Sequence, residues 1–484
     1  MRTNSLDLSM LMDFYELTMA NGYFVNGKGN QKAAFDVFYR NNPDDASYSI
    51  FAGLGEIISY VKNLHFTDDD INYLKSFNIF NDEFLKFLKN FKFKGDIYSF
   101  KEGTIIYPNE PIITVIGTLI ECQLLETSLL LLFNHESLIA TKTNRIVIAS
   151  GGRNVSDFGA RRAHNASSAI YGAKASYIGG ANSTATVLAG QLFNIPVSGT
   201  MAHSWVMSFD SEYEAFLAYA KTYPENVVLL IDTYDVLNSG IKNVVKLAKN
   251  YLIPNGFKLK GIRIDSGDLA YLSKKCRKIL DANGLSECKI IVSNALDEYK
   301  ILSLIDQGAC VDSFGVGENL ITSKSDPVFG GVYKLVALEE NGEFVPKIKI
   351  SATIEKITNP GLKEVYRVYS NEGKVVADFI TIKGEAIINN QDVKFINPLK
   401  PRKKDYEFSN CKFKKLQTLI FKNGELVYDE PSINEIRDYV RHQINCDLWE
   451  EEKRFVYPHI HYLDFSEKFH ALKIKLMSES KFDE

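Results

Sequence analysis

His203 stands in the stretch SGTMAHS (198–204), between the apolar FNIP and the helix-like SEYEAFLAYAKTY. An imidazole where a strand hands over to a helix can serve as a nucleophile or proton carrier, or it can tie its ring to a carbonyl and shape a turn. Its companions decide between these uses. Arg263, Asp265, Ser266, Gly267 and Asp268 end or follow GIRID, Ser293 and Asn294 end KIIVSN, and Asp232 and Asp235 belong to LIDTYD. Gly315 and Gly317 close DSFGVG, and Thr200 lies three residues before His203. Paired acids such as DSGD and DTYD suit Mg²⁺ and ribose hydroxyls, and Ser266 or Asp268 equally suits capping of a helix N-terminus. Glycines in a strand-to-loop turn expose N–H groups to phosphate oxygens, although GVG also fits a plain tight turn. A guanidinium at a strand end suits bidentate capture of a carboxylate.

Those residues need a scaffold that brings them together. From about residue 175 short apolar runs alternate with amphipathic stretches of helical length, the pattern of βα units on a parallel sheet. The expected strands are ASYIG (175–179), PVSGT (196–200), VVLLID (227–232), GIRID (261–265), KIIVSN (289–294) and CVDSFG (310–315), with helices such as NSTATVLAGQLF and DEYKILSLIDQ between them. Six such repeats with right-handed crossovers predict a closed or partly closed α/β barrel, and the carboxyl ends of its strands share one rim. His203 and the other polar groups converge there.

Residues 1–145, with helical LMDFYELTMANGYF and FNDEFLKFLKNF beside strand-like KAAFDVFYR, DIYSF and PIITVIG, read as an α+β domain. The barrel occupies 146–335. Residues 336–484 read as a smaller C-terminal domain of short strands, a Lys-rich PLKPRKKDY and a charged helical tail.

A chain of 484 residues exceeds what one core holds, which fits this division. Its 56 Lys and Arg against 60 Asp and Glu, a formal charge of −4, give no global pull toward nucleic acid or an anionic membrane, so an anionic ligand must be held locally. Six dispersed cysteines form neither a CxxC zinc pattern nor a disulfide framework, and point to a reducing, cytoplasmic setting. The N-terminal stretch carries Asp7, Asp13 and Glu16 and is no signal peptide. The most apolar segment, CQLLETSLLLLFNHESLIA, is broken by Glu126, Asn134, His135 and Glu136 and reads as a buried helix, not a membrane span.

Neither GxxxxGK[ST] nor GxGxxG occurs, which excludes a P-loop and gives no ground for a dinucleotide fold. In order along the chain, MDFYELTMANGYF, LLETSLLLLFNHESLIATKTNRI, DFGARRAH, SGTMAHSW, LIDTYDVLNSG, GIRIDSGDL, SNALDEYKI, DSFGVG and KITNPG resemble the nicotinate phosphoribosyltransferase family, in its long form with an extra C-terminal domain. The resemblance implies a type II phosphoribosyltransferase fold, an irregular α/β barrel beside an α+β domain, assembled as a homodimer whose active site is shared between subunits. It implies joining of nicotinate to 5-phosphoribosyl 1-diphosphate, with ATP consumed as co-substrate, Mg²⁺ accompanying the phosphates and no tightly bound organic cofactor.

His203 matches the histidine that ATP phosphorylates. Asp265 is its catalytic neighbour, and Asp265 with Asp268 is the expected Mg²⁺ pair. Tyr15 matches the aromatic residue covering the pyridine ring, Thr200 the hydroxyl beside it and Arg263 the partner of the nicotinate carboxylate. Arg161 and Arg162 supply charge for phosphates, Thr358 a hydroxyl at the phosphoribosyl diphosphate, and Ser266, Gly267, Ser293, Asn294, Gly315 and Gly317 the remaining substrate contacts. Asn319 of GVGENL departs from the arginine usual there. It is either a lost charge beside phosphate, with Lys324 as a substitute, or a solvent-facing exchange. The alternatives are a nicotinamide or quinolinate phosphoribosyltransferase, or a silent member retained as a binding protein.

Overall fold

A computed structural model of the chain describes residues 7–353, 356–387, 393–394, 407–408 and 411–479. PLKPRKKDY (398–406) lies outside them. The described chain forms two compact units, one of residues up to Leu138 and from Val328 onward, the other of Ile139–Pro327.

The first unit is built on a seven-stranded antiparallel sheet, in the order Glu343–Pro346, Val332–Glu340, Lys32–Phe38, Ile113–Thr118, Asp96–Ser99, Thr418–Lys422, Glu425–Leu426. Lys32–Phe38 is buried beyond its first residue, as a central strand with both faces covered must be. Helices Phe14–Val25, Leu54–Asn63, Asp68–Ser76 and Asp82–Lys89 belong to the same unit. Their starts are written locally: Asn81 accepts from the backbone N–H groups of Glu83 and Phe84, and Thr67 and Asp70 form a reciprocal capping box. A four-stranded sheet, Lys412–Lys415, Lys363–Tyr369, Val375–Ile382, Leu463–Phe465, completes the unit. The expected C-terminal segment 336–484 is thus not packed by itself. Thr418–Lys422 extends the N-terminal sheet beside Asp96–Ser99, a long-range pairing that local sequence pattern does not carry.

The second unit has the α/β half-barrel. Its six strands are parallel, in the order Ser183–Thr184, Asn154–Asp157, Ser313–Val316, Lys289–Val292, Gly261–Ile264, Val228–Leu230. Period-two alternation sorts the side chains. Val155, Asp157, Ile262, Ile264, Ile290, Val292, Phe314 and Val316 are fully buried, while Ser156, Ser313 and Ile291 line a cavity of about 790 Å³. Ser156, Ser183 and Ser313 are too small to fill the interior as the side chains of a closed barrel do.

Two expected strands are corrected. ASYIG ends the helix Ala166–Ile178, started by the Asn165 side chain accepting from Ser168 N–H. Residues 172–178 are buried throughout, Lys174 and Ser176 included, so the short apolar YI end of the helix imitates a strand. PVSGT forms only an isolated bridge, Val197 to Thr184, and the short strand lies at Ser183–Thr184 inside the stretch expected to be helical. Asn154–Asp157, not anticipated, is the strand that pairs beside Ser313–Val316. The apolar segment 122–140 falls in helices Leu119–Gln123 and Glu126–Ala149. No helix among the described residues is long and apolar enough to cross a membrane.

Candidate active site

The strands Val228–Leu230, Gly261–Ile264 and Lys289–Val292 deliver their following residues to one rim, and a side-chain network ties these together. Asp232 Oδ2 accepts from Asp265 N–H (3.0 Å) and from the Ser266 hydroxyl (2.6 Å), and the Ser293 hydroxyl donates to Asp265 Oδ1. His203 opens the short helix His203–Met207. Its Nδ1 lies 3.1 Å from Thr233 Oγ1, and its Nε2 lies 3.9 Å from Asp265 Oδ2 and 4.0 Å from Asp232 Oδ1. Asp232 is buried, and its Oδ1 has no hydrogen-bond partner.

Arg263 stands at the same rim. Its Nη1 donates to Thr200 Oγ1 at 2.7 Å, its Nε is buried without a partner, and no carboxylate lies within 4.0 Å of it among the described residues. Burial lowers its pKa, an effect that Asp265 and Asp232 oppose and Arg161 reinforces. A half-buried cation satisfied only by a neutral hydroxyl is costly unless an anionic ligand completes it.

Thr200, His203, Arg263, Asp265, Ser266 and Ser293 are therefore brought together as expected from sequence. Gly267 has φ 79°, the left-handed conformation that lets the chain turn after the strand. Asp268 takes the structural of its two roles with one oxygen: Oδ1 caps helix Leu269–Ala282 by accepting from Tyr271 N–H. Asn294 is exposed at φ 104°. Gly315 leaves room for the Phe158 ring, since a Cβ there would stand 2.5 Å from it, and Gly317 precedes the single turn Glu318–Ile321. Arg161 and Arg162 are exposed on the turn Ala160–Arg162, with Arg162 Nε 3.9 Å from Glu318.

Tyr15 and Thr358 belong to the other unit. Tyr15 is 43% exposed, and burial of its hydroxyl together with Glu126 and Glu16 raises its pKa. Thr358 is buried, and its hydroxyl accepts from Lys349 N–H at 2.9 Å.

The solvent-facing reading of Asn319 is corrected. The side chain is buried, and its amide donates to the carbonyls of Ala295 (2.8 Å) and Leu296 (3.1 Å), anchoring the loop that follows Ser293. Lys324 is paired with Glu318 at 2.9 Å. Sequence reading gave Asp232, as the first acid of DTYD, to Mg²⁺ or ribose hydroxyls and passed over Thr233, the partner of the imidazole; the signal was its position one residue past the acid. In the first unit, oxygens of Glu56, Glu102 and Glu136 lie within 4.8 Å of one another and could hold a metal ion, although Glu102 is also engaged by the N–H groups of Gly53 and Gly55.

Comparison with known proteins agrees with this geometry. Residues 10–134 match the nicotinate phosphoribosyltransferase N-terminal domain, 153–371 the nicotinate phosphoribosyltransferase family and 362–473 the corresponding C-terminal domain. The nicotinate phosphoribosyltransferase of Bacillus subtilis is 42% identical over 98% of this chain and 96% of its own, and that of Caenorhabditis elegans 35% over 96% and 93%. The crystal structure of human nicotinic acid phosphoribosyltransferase superposes with a TM-score of 0.85 at 28% identity, covering 96% of this chain and all of that one. A nicotinate-nucleotide pyrophosphorylase from Pyrococcus furiosus shares the fold, with a TM-score of 0.70 at 23% identity. The chain belongs to the nicotinate phosphoribosyltransferase family and is an enzyme of that family.

Proposed function

We propose that the protein joins nicotinate to 5-phosphoribosyl 1-diphosphate, giving nicotinate mononucleotide and diphosphate, while ATP is hydrolysed to ADP and phosphate by way of phosphorylated His203. The observation that carries this reading is Arg263, a half-buried guanidinium at the rim whose buried Nε has no partner. A nicotinate carboxylate supplies the missing anion; nicotinamide, being neutral, leaves it unpaired. Thr200, already bonded to Arg263, flanks the ring, and Tyr15 covers its face from the partner subunit of a homodimer.

With Nδ1–H donated to Thr233, the lone pair of His203 sits on Nε2, the atom that attacks the γ-phosphorus of ATP as ADP departs. Asp232 and Asp265 flank Nε2 and hold the ring's charge when the N–P bond forms and when water later breaks it. In the transfer itself the ring nitrogen of nicotinate displaces diphosphate from the anomeric carbon, so the protein's part is positioning and charge stabilisation. Arg161 and Arg162, both exposed on their turn, supply positive charge for the phosphates. Ser266, Ser293 and Asn294 hold the rim in place around the ribose, with Gly267, Gly315 and Gly317 permitting close approach. The carboxylates fit Mg²⁺ arriving with ATP and phosphoribosyl diphosphate: Asp265, and Asp268 through the oxygen not used in capping, would hold it, and it would neutralise the leaving diphosphate. The setting is cytoplasmic NAD salvage.

The test is nicotinate mononucleotide formation by the purified protein with and without ATP, against nicotinamide and quinolinate as competing substrates. Nicotinate is expected to be strongly preferred and ATP to raise the yield. Preference for either rival substrate would overturn the reading.

A further inference from the structure

A second cavity, of about 350 Å³, lies in the unit that carries the antiparallel sheet and shares no residue with the rim. The stretch FKFKG (91–95) builds one wall. Phe91 and Phe93 are buried while Lys92 and Lys94 are exposed, and both lysines line the cavity together with Phe91 and Lys32. None of these three ammonium groups has a carboxylate within 4.0 Å among the described residues.

Two acids line the same cavity, but both are committed to backbone. Glu121 accepts from Lys94 N–H (2.7 Å) and Thr118 N–H (2.8 Å), and Asp96 accepts from Asn423 N–H (2.7 Å). The same bonds make the wall rigid. Gly424 N–H donates to the Gly95 carbonyl at 2.8 Å, and no Cβ fits at Gly95 against Ile116. Phe87, Phe91 and Ile116 supply an apolar floor, and the side chains of Asn90 and Asn423 stand at the edge.

We propose that this cavity is a binding site for a small ring-bearing phosphomonoester, its ring on Phe87, Phe91 and Ile116 and its phosphate among Lys32, Lys92 and Lys94. Three point charges around one opening match a dianion better than a single carboxylate, and the volume lies within the usual range for small-ligand pockets, roughly 300 to 1,000 Å³. The site stands independently of the reaction at the rim.

The probe is AMP on the full chain, with binding measured by calorimetry and located by hydrogen exchange. Protection is expected in residues 87–96 and 116–121, with adenosine giving none there and inorganic phosphate binding far more weakly. The double variant Lys92→Glu/Lys94→Glu should weaken this binding by at least about tenfold, since it sets like charges against the phosphate. Lys92→Ala/Lys94→Ala, a milder change at exposed positions, should weaken it less and still fold. Nicotinate mononucleotide formation should persist in both. AMP protecting only rim peptides, or binding to folded variants with unchanged affinity, would overturn the proposal.

Discussion

Arg263 and Asn319 show how differently two polar side chains can be used. Arg263 keeps hydrogen-bonding capacity in reserve, whereas Asn319 spends its amide on the carbonyls of 295 and 296. Arg263→Ala should therefore weaken nicotinate by roughly 2 to 5 kcal/mol, the cost of truncating a buried charge pair, and leave phosphoribosyl diphosphate nearly unaffected. Steady-state kinetics varying each substrate in turn decide this; equal losses would move Arg263 to the phosphate site. Asn319→Ala should instead lower unfolding free energy by about 1 to 3 kcal/mol, because the buried Leu296 carbonyl loses its donor, whereas the Ala295 carbonyl still accepts from Lys300 Nζ. Equilibrium denaturation reads that loss, and an unchanged midpoint would show that the amide bonds add nothing to stability. The rim was legible in the sequence because strand ends announce themselves by apolar runs that stop at polar residues. Asn319 was not, since its partners lie some twenty residues away and nothing in GVGENL says which way the amide points.

At the level of elements, the parallel strands with clear apolar runs were readable, at GIRI, KIIV and VLL, and the ambiguous ones were not. ASYIG failed because a helix buried on every side has the same composition as a central strand. A further element-level feature has no signature in sequence at all. The C-terminal segment is joined to the hairpin Lys363–Ile382 through a buried cluster in which the His461 ring stacks on Tyr107 at 3.5 Å. His461 Nε2 is 3.5 Å from Asp378 and Nδ1 is 3.6 Å from Glu452; Arg367 forms a two-pronged pair with Asp378, and burial, with Asp378 adding to it, pushes the Glu110 carboxyl well above the usual carboxylate range. Burial alone would lower the His461 pKa, but Asp378 and Glu452 outweigh it and raise it.

A raised folded-state pKa means that the imidazolium contributes stability fully below the unfolded value, about 6.5, and that this is lost as pH climbs through the folded value. His461→Gln should then cost roughly 3 to 5 kcal/mol at pH 6, as removal of one partner of a buried pair does, and less at pH 9. Lys473, held down to about 8 by burial with Lys363 adding to the effect, titrates with the opposite sign. The difference between parent and variant in urea unfolding across pH isolates the imidazole, and a pH-independent difference would contradict its protonation.

For the whole molecule, three stretches of chain make two units because the last stretch supplies strands to the sheet begun by the first. Sequence reading follows chain order and so divides such a molecule by position. If Tyr15 serves the rim of a partner subunit, Tyr15→Ala and His203→Ala, each nearly inactive alone, should complement when unfolded together and refolded. Random pairing in a two-fold dimer predicts recovery of about a quarter of parent activity; none would place both residues of a site in one chain. The most direct test of the account is the fate of phosphate from γ-labelled ATP. The label should appear on His203, stable in alkali and labile in acid, and be absent from His203→Ala together with the ATPase, while slow ATP-independent transfer survives in that variant. Label on a serine, or undiminished labelling of His203→Ala, would contradict it.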